Sequence, residues 1–215
     1  MLFLKTPTCI QKLYSKRLWR KDTDKKVIYL TFDDGPTEKV TDWVLKTLEK
    51  HNAKATFFAL GKNLVAEPEL ALKLFSNHSV GNHTFSHKKG WSTPATNYVI
   101  DVEKAQKVID TFRKVEGNIA TKLFRPPYGK ISFLQARKIR KKGYTIVMWD
   151  VLSGDYNPKL SKEKSLEKLL QHTKKGSIVV FHDSKKAFDT LQYVLPKALE
   201  IWSKEGFSFE MLQYN

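Results

Sequence analysis

Residues 31–36 read Thr31-Phe32-Asp33-Asp34-Gly35-Pro36, and an apolar run, Val27-Ile28-Tyr29-Leu30, leads straight into them. β-branched and aromatic residues in such a run suit a buried strand. The strand stops at two adjacent carboxylates and a Gly-Pro break. Successive strand residues point to opposite faces. Asp33 and Asp34 can therefore share one pocket only if the backbone turns there, and Gly35-Pro36 is expected to supply the turn. Adjacent carboxylates repel unless a cation separates their roles. A metal ion on one would leave the other free as a base. The competing reading is an Asp-rich turn that caps the next helix.

The same pattern of an apolar strand ending in polar residues recurs along the chain. Val40, Trp43, Val44, Thr47 and Leu48 share one helical face, and Ala55 to Leu60 then read as a second strand. Pro68 opens a helix, where proline is tolerated in the first turn. A short strand near Ser79-Val80 runs into Gly81-Asn82-His83-Thr84-Phe85-Ser86-His87, and a long helix follows with Val102, Ala105, Ile109 and Phe112 inward. Leu123-Phe124 ends in Arg125-Pro126-Pro127-Tyr128-Gly129, and a helix carries Phe133, Leu134 and Ile139. Tyr144 to Trp149 form a strand ending at Asp150, with Asp155 beyond. Ser177 to Phe181 form another, ending at His182-Asp183, and Phe207 to Met211 close the chain. Strand and helix alternate about seven times, which predicts a parallel sheet closed or nearly closed into a barrel with helices outside.

The chain has 215 residues, 41% of them hydrophobic, enough for one sizeable core. Its net charge of +16 favours polyanionic surroundings, but the lysines between Lys104 and Lys138 are scattered, so a basic soluble surface is the preferred reading. No helix-turn-helix or aromatic-basic pattern supports nucleic-acid binding, and no nucleic-acid partner is expected. Cys9 is the only cysteine, which excludes an internal disulfide and a multi-cysteine zinc site. No run approaches transmembrane length. The opening apolar residues are too few for a signal-peptide core, which suggests a cytoplasmic protein. Residues 1–25 form a basic segment with Ile10, Leu13, Tyr14 and Leu18 at helical spacing. A helix covering one end of the domain is expected there, with peripheral membrane contact as the alternative.

Asp33, Asp34, His83, His87, Arg125, Asp155 and His182 all fall at or just after the C-terminal end of a predicted strand. A β/α barrel builds its active site at that face. His83 and His87 are four apart, so on a helical turn they could clasp one ion. With one carboxylate they make a three-ligand set that leaves a position for water, as in catalytic zinc sites. Surface or capping histidines are the alternative. Arg125 could clamp a carboxylate. Prolines 126 and 127 fix their loop and offer no donor, so the Tyr128 N–H is a candidate donor to a substrate oxygen. Asp155 or Asp183 could hold one ring nitrogen of His182 and raise its pKa.

These motifs together resemble the polysaccharide deacetylase family, the NodB-homology domain of carbohydrate esterase family four. The resemblance spans roughly residues 26–212. Thr31 to Pro36, His83 to His87, Arg125 to Gly129, Trp149 with Asp155-Tyr156, and Val180-Phe181-His182 match its five motifs in order. It implies a distorted (β/α)7 barrel over residues 26–215 and a metal-dependent enzyme that removes N-acetyl groups from a peptidoglycan- or chitin-like glycan. By the family pattern Asp33 is the general base and His182 the general acid. Asp34, His83 and His87 hold a divalent metal, zinc best, cobalt or nickel also. Arg125 orients Asp33, and Asp155 tunes Arg125 or His182. Pro127, Tyr128, Trp149 and Tyr156 are expected to line the substrate and oxyanion pocket. In the fourth motif the family usually has Trp where this chain has Tyr156, and a second Asp where it has Leu152; Asp150 is a candidate substitute. A binding barrel without catalysis, and an esterase or small-amide hydrolase using the same site, are the other readings.

Overall fold

A computed structural model describes residues 4–116 and 122–213. Among the described residues eight strands and eight α-helices follow in the order α1 (Thr8–Leu13), β1 (Val27–Asp33), α2 (Val40–Lys50), β2 (Ala55–Ala59), α3 (Gly61–Ala66), α4 (Pro68–Asn77), β3 (Ser79–Asn82), α5 (Ala95–Glu116), β4 (Leu123–Phe124), α6 (Phe133–Lys141), β5 (Thr145–Ile146), β6 (Val151–Leu152), α7 (Lys162–His172), β7 (Ile178–His182), α8 (Phe188–Lys204) and β8 (Ser208–Phe209). The strands are parallel, in the order β5-β4-β3-β2-β1-β7-β6, with β8 on β1. This is the distorted barrel expected from the sequence.

β1 is buried at every position because both of its faces are covered. Ile28, Leu30 and Phe32 face the helices with Phe57, Phe181, Val194 and Trp202. Phe32 stacks between Phe57 and Phe181, at 5.0 and 5.6 Å between ring centroids. Val27 and Tyr29 face inward with Phe58, Val147 and Ile178. The alternation puts Thr31 and Asp33 next in the inward series. His182 follows Ile178 and Val180 inward in the same way. β1 and β7 are in register with Asp33 opposite His182. Neighbouring strands lie about 4.8 Å apart, so the two groups project side by side into the mouth of the barrel.

The barrel's seam is where sequence and structure part. β5 and β6 are close in sequence but lie at opposite ends of the sheet order. The single strand expected over Tyr144–Trp149 is in fact split between two partners. Met148 N–H donates to Leu18 O, whereas Asp150 N–H donates to Ile178 O on β7. The N-terminal segment fills the gap. Lys5 bridges Val151 antiparallel, Leu18 bridges Val147 parallel, and Arg20 bridges Ser177. The segment is therefore mostly an extended strap. Its helix spans only Thr8–Leu13 and has no buried residue. The helical spacing of Ile10, Leu13 and Tyr14 does not mark a core face, for all three are exposed. Leu4 and Trp19, flanking them, are the buried anchors. Asp150 fixes the strap from inside, accepting from Lys5 Nζ at 2.6 Å, Gln11 Nε2 at 3.0 Å and Ser177 Oγ at 2.7 Å. It is thus a strap anchor rather than a substitute for the missing motif residue.

Candidate active site

Asp33 closes β1 and is nearly buried. Its partner is Arg125, which leaves β4 with no exposed surface. One guanidinium nitrogen, Nη1, donates to Asp33 Oδ1 and to Thr31 Oγ1, both at 2.7 Å, and Nη2 donates to Met148 O at 2.9 Å. The guanidinium carbon lies 4.1 Å from the centre of the Phe58 ring. Burial pushes the Arg125 pKa down and Asp33 opposes it. The group begins so high that it remains a cation. A carboxylate held this way is fixed in direction and keeps one oxygen, Oδ2, for other work.

His182 ends β7 and is gripped twice by Asp155. Its ring Nδ1 lies 2.8 Å from Asp155 Oδ1, and its backbone N–H donates to Asp155 Oδ2 at 2.7 Å. Burial disfavours the charged ring, but the Asp155 charge and hydrogen bond outweigh it, with smaller help from Asp33 and Asp34. The pKa rises to about 9. Of the two partners left open by the sequence, Asp155 therefore serves His182 and not Arg125. Tyr156 stands edge-on to the His182 ring at 4.8 Å. Asp183 faces away, accepting from Gly35 N at 2.9 Å and Thr41 Oγ1 at 2.6 Å.

Asp34, His83 and His87 converge so that one donor atom from each lies within 4.8 Å of the others. Asp34 Oδ1 is 3.1 Å from His87 Nε2 and 3.6 Å from His83 Nε2. No helix sets this pair of histidines, contrary to the expected helical turn. They sit on an irregular loop after β3 in which Thr84 and His87 have φ of +69° and +60°. Asp101 on α5 holds that loop, accepting from Phe85 N, Ser86 N and Ser86 Oγ at 2.9, 3.0 and 2.7 Å. Asn82 Oδ1 accepts from Thr84 N, and Asn63 Nδ2 donates to Asp34 O at 2.7 Å. The sequence reading missed these braces. Asn82 carried a signal, a polar residue ending a strand beside His83; Asp101 and Asn63, on separate helices, carried none.

The donor set fits a divalent metal. The His83 Nδ1 lies 2.8 Å from the Arg125 carbonyl, which can only accept, so Nδ1 carries the proton. Burial pushes the ring below its ordinary pKa and keeps it neutral. Its Nε2 then presents a lone pair to an ionised carboxylate. Burial alone would raise Asp34, but the hydrogen bond with His87 and the neighbouring imidazoles hold it well below the usual carboxylate range. The His83 Nε2 lone pair and the Asp34 carboxylate oxygen, 3.6 Å apart, are donors that a cation between them would satisfy. The second interaction of the His83 ring, Nδ1–H to a backbone carbonyl, is the usual way a ligand imidazole is oriented.

Tyr128 lies beside this set, its ring 4.7 Å from His87 and its backbone in the left-handed region with φ +59°. Pro127, which precedes it in the turn, is buried. Trp149 is half-buried against the clusters beneath the loop, and its ring meets Gly129 where any Cβ would stand. It shapes the Tyr128 turn from below. Among the described residues, six non-glycine residues have positive φ, and Asp34, Thr84, His87 and Tyr128 are four of them. Backbone strain of this kind collects at functional sites.

Comparison with known proteins agrees with this geometry. The profile of the family described as Polysaccharide deacetylase matches residues 20–147. A peptidoglycan-N-acetylglucosamine deacetylase of Bacillus cereus is 29% identical over 81% of this chain and 64% of its own length. The chain thus spans less than two thirds of that relative. A chitooligosaccharide deacetylase of Azorhizobium caulinodans is 32% identical over 73% of each chain. The crystal structure of the Bc1960 peptidoglycan N-acetylglucosamine deacetylase superposes with a TM-score of 0.85 at 28% identity, covering 96% of this chain and 95% of that one. The chain belongs to the polysaccharide deacetylase family.

Proposed function

We propose that this chain is a divalent-metal-dependent hydrolase that removes N-acetyl groups from amino sugars of a peptidoglycan- or chitin-like glycan. The observation that carries the reading is the pairing of two prepared groups on neighbouring strands. Asp33 is paired at 2.7 Å with the buried Arg125 guanidinium, and His182 is held protonated by Asp155, with the donor set of Asp34, His83 and His87 beside them. One group is ready to accept a proton and the other to give one.

When bound by Asp34, His83 and His87, a divalent ion supplies Lewis acidity to the acetyl carbonyl and to the attacking water. Nitrogen and oxygen donors suit zinc, and cobalt or nickel would take the same set. Asp33 accepts the proton of the water as its oxygen bonds to the acetyl carbon. The carbonyl π electrons move onto oxygen, and the Tyr128 N–H donates to the resulting oxyanion. The C–N bond then breaks, and His182 gives its proton to the departing nitrogen. Acetate and a free amino sugar result. An amine is a far poorer leaving group than an alcohol, so a protonated His182 matters more for amides than for esters.

The test is acetate release from N-acetylglucosamine oligomers by protein that has been chelated and then reloaded with zinc or cobalt. Release that disappears on chelation and returns on reloading is the expected result. Stoichiometric metal binding without release from any N-acetylated glycan would overturn the assignment of substrate, and failure to bind metal would overturn the role of Asp34, His83 and His87.

A further inference from the structure

The positive charge of this protein is concentrated. Residues 1–21 contain six basic and no acidic residues, and residues 117–149 contain eight basic and none acidic. Nearly all of the net +16 lies in these two segments, and the remainder of the chain is close to balanced. It is the distribution of acids, not of lysines, that shows this.

The fold brings the two segments together. Trp19 of the strap packs in one cluster with Ala136 and Ile139 of α6 and with Ile146. Leu18 bridges Val147. Burial and the nearby Arg140 both disfavour the charge on Arg17, which stacks 4.3 Å over Tyr14. Two arginines side by side without an acid repel, and an anion would relieve them. Three of the cations are already committed, Lys5 to Asp150, Arg125 to Asp33 and Lys142 to Glu103. Lys12, Lys16, Arg137, Lys138, Arg140 and Lys141 have no acidic partner within ion-pair distance among the described residues.

Apolar side chains stand exposed among these charges. Leu13 is 74% exposed, Phe133 78% and Leu134 51%. Phe133 and Leu134 begin α6 and are followed on its outer side by Arg137, Lys138 and Lys141, while Gln135, Ala136 and Ile139 are the buried positions. Leu13 ends α1, next to exposed Lys12 and Tyr14.

We infer that this flank, formed by the strap and α6, docks on the surface of an anionic phospholipid bilayer. Basic side chains meet the headgroups while Leu13, Phe133 and Leu134 enter the boundary with the acyl chains. Exposed leucines have no use on a phosphodiester or sugar backbone, which decides between lipid and a soluble polyanion. Among the described residues no helix is long and apolar enough to cross a membrane, and the docking proposed for this flank is a surface contact. α6 starts five residues after Tyr128, so docking would hold the candidate active site close to the membrane. The inference does not depend on which glycan is the substrate.

The test is co-sedimentation of the full chain with vesicles of phosphatidylcholine alone or mixed with phosphatidylglycerol. Binding should require phosphatidylglycerol and weaken with salt. Arg137→Gln and Lys138→Gln should each weaken it about fivefold. The double variant Leu13→Ser with Phe133→Ser should lose binding while still hydrolysing soluble oligosaccharide at the unaltered rate. Both positions are exposed, and near-ultraviolet circular dichroism would verify the fold. Equal binding to both kinds of vesicle would overturn the inference. So would undiminished vesicle binding by the double variant together with equal affinity for double-stranded DNA, which would leave only a general polyanion surface.

Discussion

Asp155 holds His182 by both of its oxygens, one on the ring and one on the backbone N–H. The second bond fixes where the carboxylate sits, so the ring is aligned as well as charged. With its pKa at about 9, His182 is a cation through the neutral range.

The activity that depends on this proton should hold steady through neutrality and fall as pH rises through about 9. Asp155→Asn should move that alkaline limb to lower pH, because the charge that raises the pKa is gone. A pH–rate profile of the two proteins measures it; coincident alkaline limbs would remove Asp155 from this role. Stability carries the same sign. The folded pKa lies above the unfolded value of about 6.5. The contribution is therefore fully present below about 6.5 and is lost as pH rises through about 9.

Arg125 and Asp33 form a buried pair, and removing one partner strands the other. Arg125→Met should cost about 3–5 kcal/mol of stability, since the Asp33 carboxylate is left without its cation. Asp33→Asn keeps a neutral acceptor of the same shape and should lower kcat by a factor on the order of 10²–10⁴. Denaturant titration and steady-state kinetics separate the two effects. An Arg125→Met protein as stable as the parent would show that the pair does not stabilise the fold.

Much of this was legible because chemistry and strand ends coincide in sequence. Asp33, Arg125 and His182 each follow an apolar run, and parallel strands of one barrel must deliver such residues to one rim. What was not legible depends on partners distant in sequence. Trp149 and Asp150 are adjacent, yet one packs against Gly129 of the Tyr128 loop and the other anchors the strap through Lys5. Periodicity reports the face of a residue and not which element covers it. That is why Ile10, Leu13 and Tyr14 read as a core stripe and are exposed. α3 is six residues long, too short for a helical period to register.

Asp101 is a positioning residue for the histidine loop, and its effect should appear in metal affinity before chemistry. It touches no donor atom but takes two backbone N–H groups and one hydroxyl from Phe85 and Ser86, between His83 and His87. Asp101→Ala should weaken metal binding by about 10–100-fold. At saturating metal most of kcat should return. Calorimetric metal titration beside kinetics at high metal is the measurement. A kcat loss that saturating metal does not rescue, with unaltered affinity, would sink the assignment.

Gly35 and Asp183 make a test of how the Asp34 turn is held. A Cβ at Gly35 would overlap the Asp183 carboxylate, which accepts the Gly35 N–H and the Thr41 hydroxyl in a wholly buried position. Burial, with the charge on Asp34, raises the Asp183 pKa to about 7, against the hydrogen bonds from Thr41 and Gly35. Gly35→Ala should therefore destabilise by about 1–3 kcal/mol, as overpacking does. It should also lower metal affinity, because the residue before it is Asp34. Asp183→Ser frees the space that the methyl needs but gives up one carboxylate oxygen. If steric overlap is the whole cost of Gly35→Ala, the double variant should lose less stability than the two single variants summed. The expected coupling is about 0.5–3 kcal/mol in a double-mutant cycle. Strict additivity would mean that the turn adjusts without Asp183, and the carboxylate would then be a bystander to the Asp34 geometry.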